Sequence, residues 1–169
     1  DANLAGLSHE AEDLESMETS MLIVEPTMGV WPQQAPDKAE KFTVRFVKGR
    51  AVRINGKDVT PVEAMRLANR LAGRNGVGMR HALENRIIGT KSRGVYEAPG
   101  MELLGTCLRY VYQATMDRRA GLLFGQLSKL VADQIYDGRY FDPVTQAARA
   151  AIGTFSKHAS GTVEVGLYK

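Results

Sequence analysis

Hydrophobic and polar positions change rhythm several times along the chain. Phe42, Val44 and Phe46 alternate with Thr43 and Arg45, Lys48-Gly49-Arg50 can turn the chain, and Val52 and Ile54 then alternate with Arg53. Period-two alternation on both sides of a turn predicts a β-hairpin, and Asn55-Gly56, two residues that tolerate positive φ, predicts a second turn. Thr60-Pro61-Val62-Glu63 predicts a helix start with a reciprocal Thr–Glu cap, followed by the apolar stripe Val62, Met65, Ala68 and Leu71 and an end at Gly73 or Gly76. Met101, Leu104, Leu108 and Val111 keep helical spacing, as do Leu123, Leu127, Leu130 and Gln134, with Gly138 as a stop. Asp142-Pro143 opens another helix carrying Val144, Ala148, Ile152 and Phe155, and Val163, Val165 and Leu167 alternate in a final strand. Upstream, Leu4 with Leu7 and Leu14 with Met17 suggest short helical turns, and Met21 to Val24 reads as a short buried strand. Pro26, Pro32 and Pro36 mark an irregular stretch around Trp31. Strands, a helix, a polar segment, three helices and a strand add up to an α+β fold with a mainly antiparallel sheet and packed helices; a doubly wound parallel sheet is not supported.

Composition narrows the function classes. At 169 residues and 44% hydrophobic, the chain fits one domain with a core of its own. Its +3 charge comes from 22 basic and 19 acidic residues mixed along the sequence, which argues against a nucleic-acid binder. No apolar run is long enough for a membrane span, and no stretch has the pattern of a secretory signal. Cys107, alone among leucines and Val111, reads as a buried thiol and not a nucleophile, and a single cysteine suits a reducing, cytoplasmic home. The start at Asp1, without Met, is what a piece of a longer parent would show. His81 and Glu84 have a spacing usable for metal, but no further ligands cluster with them and a metal site is not expected.

The densest polar run is Glu84 to Gly100. It holds Glu84 and Glu97, the cations Arg86, Lys91 and Arg93, the amide of Asn85, the hydroxyls of Thr90 and Ser92, and the Tyr96 phenol. Such a set can hold a zwitterion, with a carboxylate for an ammonium and a cation or hydroxyl for a carboxylate. It can equally be a solvated loop whose charges pair with one another.

Glu84-Asn85-Arg86 followed by Lys91-Ser92-Arg93-Gly94-Val95-Tyr96-Glu97-Ala98-Pro99-Gly100 closely resembles the signature of the argininosuccinate synthase family. Asp1-Ala2-Asn3-Leu4, Ser8-His9-Glu10-Ala11 and Gly76-Val77-Gly78-Met79 fit the same pattern, and Val24 to Val30 resembles its long bacterial branch. The resemblance covers essentially the whole chain. It implies the synthetase domain of an enzyme that joins citrulline to aspartate with ATP, through a citrullyl-adenylate, in arginine biosynthesis. It implies citrulline contacts at Glu84, Ser8, Glu10 and Tyr96, and a nucleotide-side position at Asp1. Arg86 and Arg93 would then be structural, orienting Glu84 and closing the loop, and no residue here would be catalytic. Residues 1–20 would lead in from a nucleotide-binding half. The glycine- and serine-rich pyrophosphate loop of that half is missing from these residues, so ATP and its Mg would be held mainly elsewhere and this chain alone is expected to be inactive. A homotetramer is implied, with residues 101–136 as packing surfaces. The rival expectation is a catalytically idle assembly or regulatory module of the same fold. From the residues alone, Ser8 could instead cap a helix beginning near His9.

Overall fold

The computed structural model describes residues 3–10 and 12–169. Its strands are β1 (Leu7–His9), β2 (Glu40–Val47), β3 (Arg50–Ile54), β4 (Lys57–Asp58), β5 (Met79–Asn85), β6 (Lys91–Glu97) and β7 (Gly161–Leu167). Its helices are α1 (Pro61–Arg74), α2 (Pro99–Thr115), α3 (Arg118–Tyr136) and α4 (Pro143–Ser156). The strands form two antiparallel sheets, ordered β4-β3-β2-β7 and β1-β6-β5. The fold is α+β with packed helices, as the hydrophobic pattern implies.

The larger sheet forms where alternation is cleanest. Phe42, Val44 and Phe46 of β2, Ile54 of β3 and Leu167 of β7 point to one side and are buried, while Lys41 and Arg45 face solvent. That apolar face packs on Ala64, Ala68 and Ala72 of α1 and on Leu103, Cys107 and Val111 of α2. Small alanines let α1 lie close, and the mutual burial supplies most of the driving force. The Asn55-Gly56 turn adopts positive φ at both residues, as a tight hairpin of this hand needs. Helix α1 starts on the expected capping box: the Thr60 hydroxyl accepts from the Glu63 N–H, and the Glu63 carboxylate accepts from the Thr60 N–H at 2.8 Å. It ends at Arg74, between the two glycines expected to stop it. Cys107 is buried in α2, and burial pushes its thiol up to about 11.

Helices α3 and α4 pack against each other beside this core. Phe124 connects them to it, stacking at 4.4 Å on Tyr112 of α2 and meeting Phe155 of α4 edge-on at 6.1 Å. No residue of α3 is fully buried, and Leu122, Leu123, Ile135 and Tyr136 lie at its surface.

The smaller sheet has its own core of Leu14, Val24, Trp31 and Val95. Three expectations change here. Leu7 belongs to strand β1 and not to a helical turn, so Ser8 is a strand residue and caps no helix. Met21–Ile23 is a single 3-10 turn capped by Ser20, not a buried strand; Val24 alone is buried, and its carbonyl accepts from the Trp31 indole N–H at 2.9 Å. Residues 79–97 are a β-hairpin, not a polar loop. The segment Thr27–Gly29 runs against α1, where Gly29 and Gly73 touch: a Cβ on Gly73 would lie 2.2 Å from the Met28 carbonyl oxygen, so only glycine permits the crossing.

Candidate functional site

Strand β6 is the centre of the smaller sheet, with β1 on one side and β5 on the other. The registers are Ser8 opposite Tyr96, Arg80 opposite Tyr96, and Glu84 opposite Ser92. Directly opposed residues share a face, and successive residues alternate. One face therefore carries Ser8, Ser92, Gly94, Tyr96, Arg80 and Glu84. The other carries Leu7, His9, Arg93, Val95, Glu97, Met79 and His81, and packs on the Leu14–Trp31 segment.

On the first face Tyr96 leans along its own strand, over Gly94, and donates its phenol O–H to Glu84 Oε2 at 2.8 Å. The absence of a side chain at Gly94 makes this possible, because a Cβ there would sit 3.2 Å from the ring. The Tyr96 phenol is pushed up to about 12, first by partial burial and then by its bond to the Glu84 carboxylate, so at neutral pH it is a donor. Ser8 stands beside Tyr96 across the sheet. Just beyond the strand ends, Arg86 donates to Glu10 at 2.6 Å, and the Arg86 N–H and Thr90 carbonyl close the β5–β6 turn. A cleft of about 750 Å³ opens at this end of the hairpin toward the opposite face, lined by Glu10, Glu15, Met17, Leu83, Arg86, Lys91, Ser92 and Arg93, and does not include Ser8, Glu84 or Tyr96.

The structure thus brings Ser8, Glu84 and Tyr96 onto one face and places Glu10 with Arg86 at its margin. Asp1 lies outside the described residues. The expected role of Arg86 and Arg93 in orienting Glu84 is corrected: the hydrogen bond on Glu84 comes from Tyr96. Arg93 points the opposite way, as strand alternation requires, donating to His81 Nε2 at 2.8 Å and to the carbonyls of Leu14 and Ser16. It fastens the 3-10 turn at Glu12–Glu15 to the sheet. A carboxylate, an acidic neighbour, a hydroxyl and a phenol on a rigid sheet, with a guanidinium at the edge, can receive an ammonium and a carboxylate at fixed separation. Among the described residues no three His, Cys, Asp or Glu side chains group as metal ligands, and no helix is long and apolar enough to cross a membrane.

One residue escaped the sequence reading. Glu97 is fully buried, and its carboxylate accepts from His9 Nε2 at 2.6 Å and from the backbone N–H groups of Thr27, Met28 and Gly29 at 2.7, 2.7 and 3.1 Å. The available signal was an acid on the same strand face as Val95, where a solvated loop needs none.

A family model described as "Arginosuccinate synthase C-terminal domain" matches residues 1–169. The chain is 42% identical over 170 residues to an argininosuccinate synthase of Rhodopirellula baltica, 36% over 172 residues to one of Aliarcobacter butzleri, and 38% over 172 residues to one of a Psychrobacter species. Each match covers 100% of this chain and 41–42% of the relative, so the chain spans less than half the length of those proteins. A match along its whole length to the family model places the chain in the argininosuccinate synthase C-terminal domain family.

Proposed function

We propose that this chain is the citrulline-binding and assembly part of an argininosuccinate synthase, a ligase of arginine biosynthesis. The observation that carries the reading is the Tyr96–Glu84 hydrogen bond beside Ser8, which fixes a carboxylate on the open face of a rigid sheet. Glu84 receives the α-ammonium of citrulline, and Tyr96 holds that carboxylate in place. Ser8 supplies a hydroxyl across the strand, and Glu10, steadied by Arg86, closes the margin. The ureido oxygen of citrulline attacks the α-phosphate of ATP and expels pyrophosphate. The amine of aspartate then attacks the ureido carbon and expels AMP. Holding citrulline rigidly converts the first encounter into an oriented one, which removes much of its entropic barrier.

ATP, with its Mg, and aspartate belong mainly to a nucleotide-binding half, joined in cis or supplied in trans. Asp1, at a position that the family resemblance associates with the nucleotide, is assigned to ATP in this reading. No metal chemistry is assigned to the described residues, none of which form a ligand cluster. The chain by itself is inactive in this reading. The exposed Leu122, Leu123, Ile135 and Tyr136 of α3, with Phe141 beside α4, are surface for packing subunits into a homotetramer in the cytoplasm.

The test is AMP formation by this chain joined to, or mixed with, a nucleotide-binding half. AMP should appear only when citrulline is present, and Glu84→Gln should raise the KM for citrulline far more than that for ATP. An unaltered citrulline response in that variant would overturn the site assignment.

A further inference from the structure

Strand β1 is three residues long, lies at a sheet edge and pairs with β6 alone. A strand so short has few ladder bonds, and sheet edges open more readily than centres. Yet it carries Ser8, with Glu10 just past its end, and both need fixed positions to meet a ligand. What fixes the strand is on its other face. His9, between Ser8 and Glu10, turns its ring to the opposite side and bonds Glu97 at 2.6 Å. Glu97 is itself immobile: each carboxylate oxygen accepts two bonds, Oε1 from His9 and Thr27, Oε2 from Met28 and Gly29. That segment is held in turn to α1, through the Val30 N–H on the Gly73 carbonyl at 3.1 Å and the Gly29–Gly73 contact. A continuous chain of contacts therefore runs from α1 through Thr27–Gly29 and Glu97 to His9.

We propose that His9 and Glu97 are positioning residues for the citrulline face: they tie β1 down from behind, so that Ser8 and Glu10 stand at a set distance from Glu84 and Tyr96. The role rests on the citrulline reading given above. Neither residue touches the ligand. Because strand residues alternate, pinning His9 on one face fixes the direction of Ser8 on the other and sets where the chain leaves the strand at Glu10.

The experiment uses the complete enzyme, the chain joined to its nucleotide-binding half, with His9→Ala, His9→Gln and Glu84→Gln compared. His9→Ala leaves Glu97 its three backbone donors, so folding should survive. It should raise the KM for citrulline about 5- to 10-fold, the worth of roughly one hydrogen bond, with the KM for ATP unmoved and the melting temperature lowered by no more than the few degrees one hydrogen bond is worth. His9→Gln, whose side-chain amide can donate to Glu97, should restore most of the loss. If Glu84→Gln raises the citrulline KM and His9→Ala does not, the positioning role is wrong and the site reading stands. If His9→Ala raises both KM values together and lowers the melting temperature by more than that, or if His9→Gln gives no rescue, the residue is merely structural. If Glu84→Gln leaves the citrulline KM unchanged, the site reading fails and this role with it.

Discussion

Replacing Gly94 by alanine separates stability from binding at a single atom. The backbone at this position is not in the left-handed region, so alanine is conformationally allowed. Taken alone, glycine-to-alanine in a strand favours folding by about 0.5–1 kcal/mol, because the unfolded chain loses freedom. The added Cβ, however, would meet the Tyr96 ring at 3.2 Å, its hydroxyl oxygen at 3.3 Å and its Cζ at 3.4 Å. Relief requires the ring to lift by a few tenths of an ångström. The Tyr96–Glu84 bond is 2.8 Å, and O–H···O bonds weaken beyond about 3.0 Å, so that lift forfeits roughly half of it. A bond to a charged group is worth about 1.5–3 kcal/mol, and half of that corresponds to a loss of about 3- to 12-fold in citrulline affinity. Stability should meanwhile stay within about 1 kcal/mol of the parent. Calorimetric titration of citrulline and thermal unfolding, both on the complete enzyme, read the two effects independently. Full citrulline affinity in Gly94→Ala would refute the account of Tyr96 as the residue that holds Glu84. A fall in affinity matched by a large fall in melting temperature would refute the claim that the ring alone moves.

Other expectations follow from single groups. Removing the cap with Thr60→Ala should destabilise by about 0.5–2 kcal/mol and lower the melting temperature by about 1–8 °C, without altering citrulline KM; no change in melting would mean that the α1 cap contributes nothing. Tyr96 should ionise near 12 and not near 10, so the tyrosinate difference titration between the parent and Tyr96→Phe should have its midpoint in that range. Its folded value is raised, so the associated stability is complete below about 10 and fades as pH rises through about 12; a difference midpoint at 10 would show that the phenol is free. Cys107, raised by burial to about 11, should remain a thiol at neutral pH and react with a disulfide reagent only as fast as the chain opens; its contribution to stability is complete below about 9 and lost as pH climbs through 11. Immediate stoichiometric labelling of the native protein would contradict its placement in the core.

The larger sheet and the helices were legible in the sequence because each buries one face. Phe42, Val44 and Phe46 announce a strand, and Thr60-Pro61 and Asp142-Pro143 announce helix starts. The smaller sheet was not legible, although its residues are as regular. Period-two reading looks for one apolar and one polar face, and here both faces carry polar side chains: Glu84, Tyr96 and Ser92 on one, Arg93, His81 and Glu97 among the apolar residues of the other. The resemblance named Glu84, Ser8, Glu10 and Tyr96 without indicating that a three-stranded sheet sets Glu84, Tyr96 and Ser8 on one face. Arg93 does not orient Glu84, because the two lie on opposite sides of the sheet; it is structural in holding the Leu14 and Ser16 carbonyls, while Arg86 pairs with Glu10. Glu97 was passed over because a carboxylate in a charged run looks solvated; its burial depends on three N–H groups some 70 residues upstream in sequence.

The two-sided use of β6 also constrains how this gene can change in length. Substitutions on one side leave the other untouched, so the face of Ser8, Glu84 and Tyr96 can be altered residue by residue while Glu97 keeps its partners. A single-residue insertion or deletion within 91–97 is different in kind, because it exchanges the two sides: Glu97 would be turned toward the face of Ser8 and Glu84, and Tyr96 into the packed interior. Changes of two residues would preserve the sides and only shift the register. The turn between Asn85 and Lys91, where Ile87, Ile88 and Gly89 stand clear of the sheet, imposes no such parity. Length variation among working versions of this domain should therefore collect in that turn and be absent from the strand that follows it.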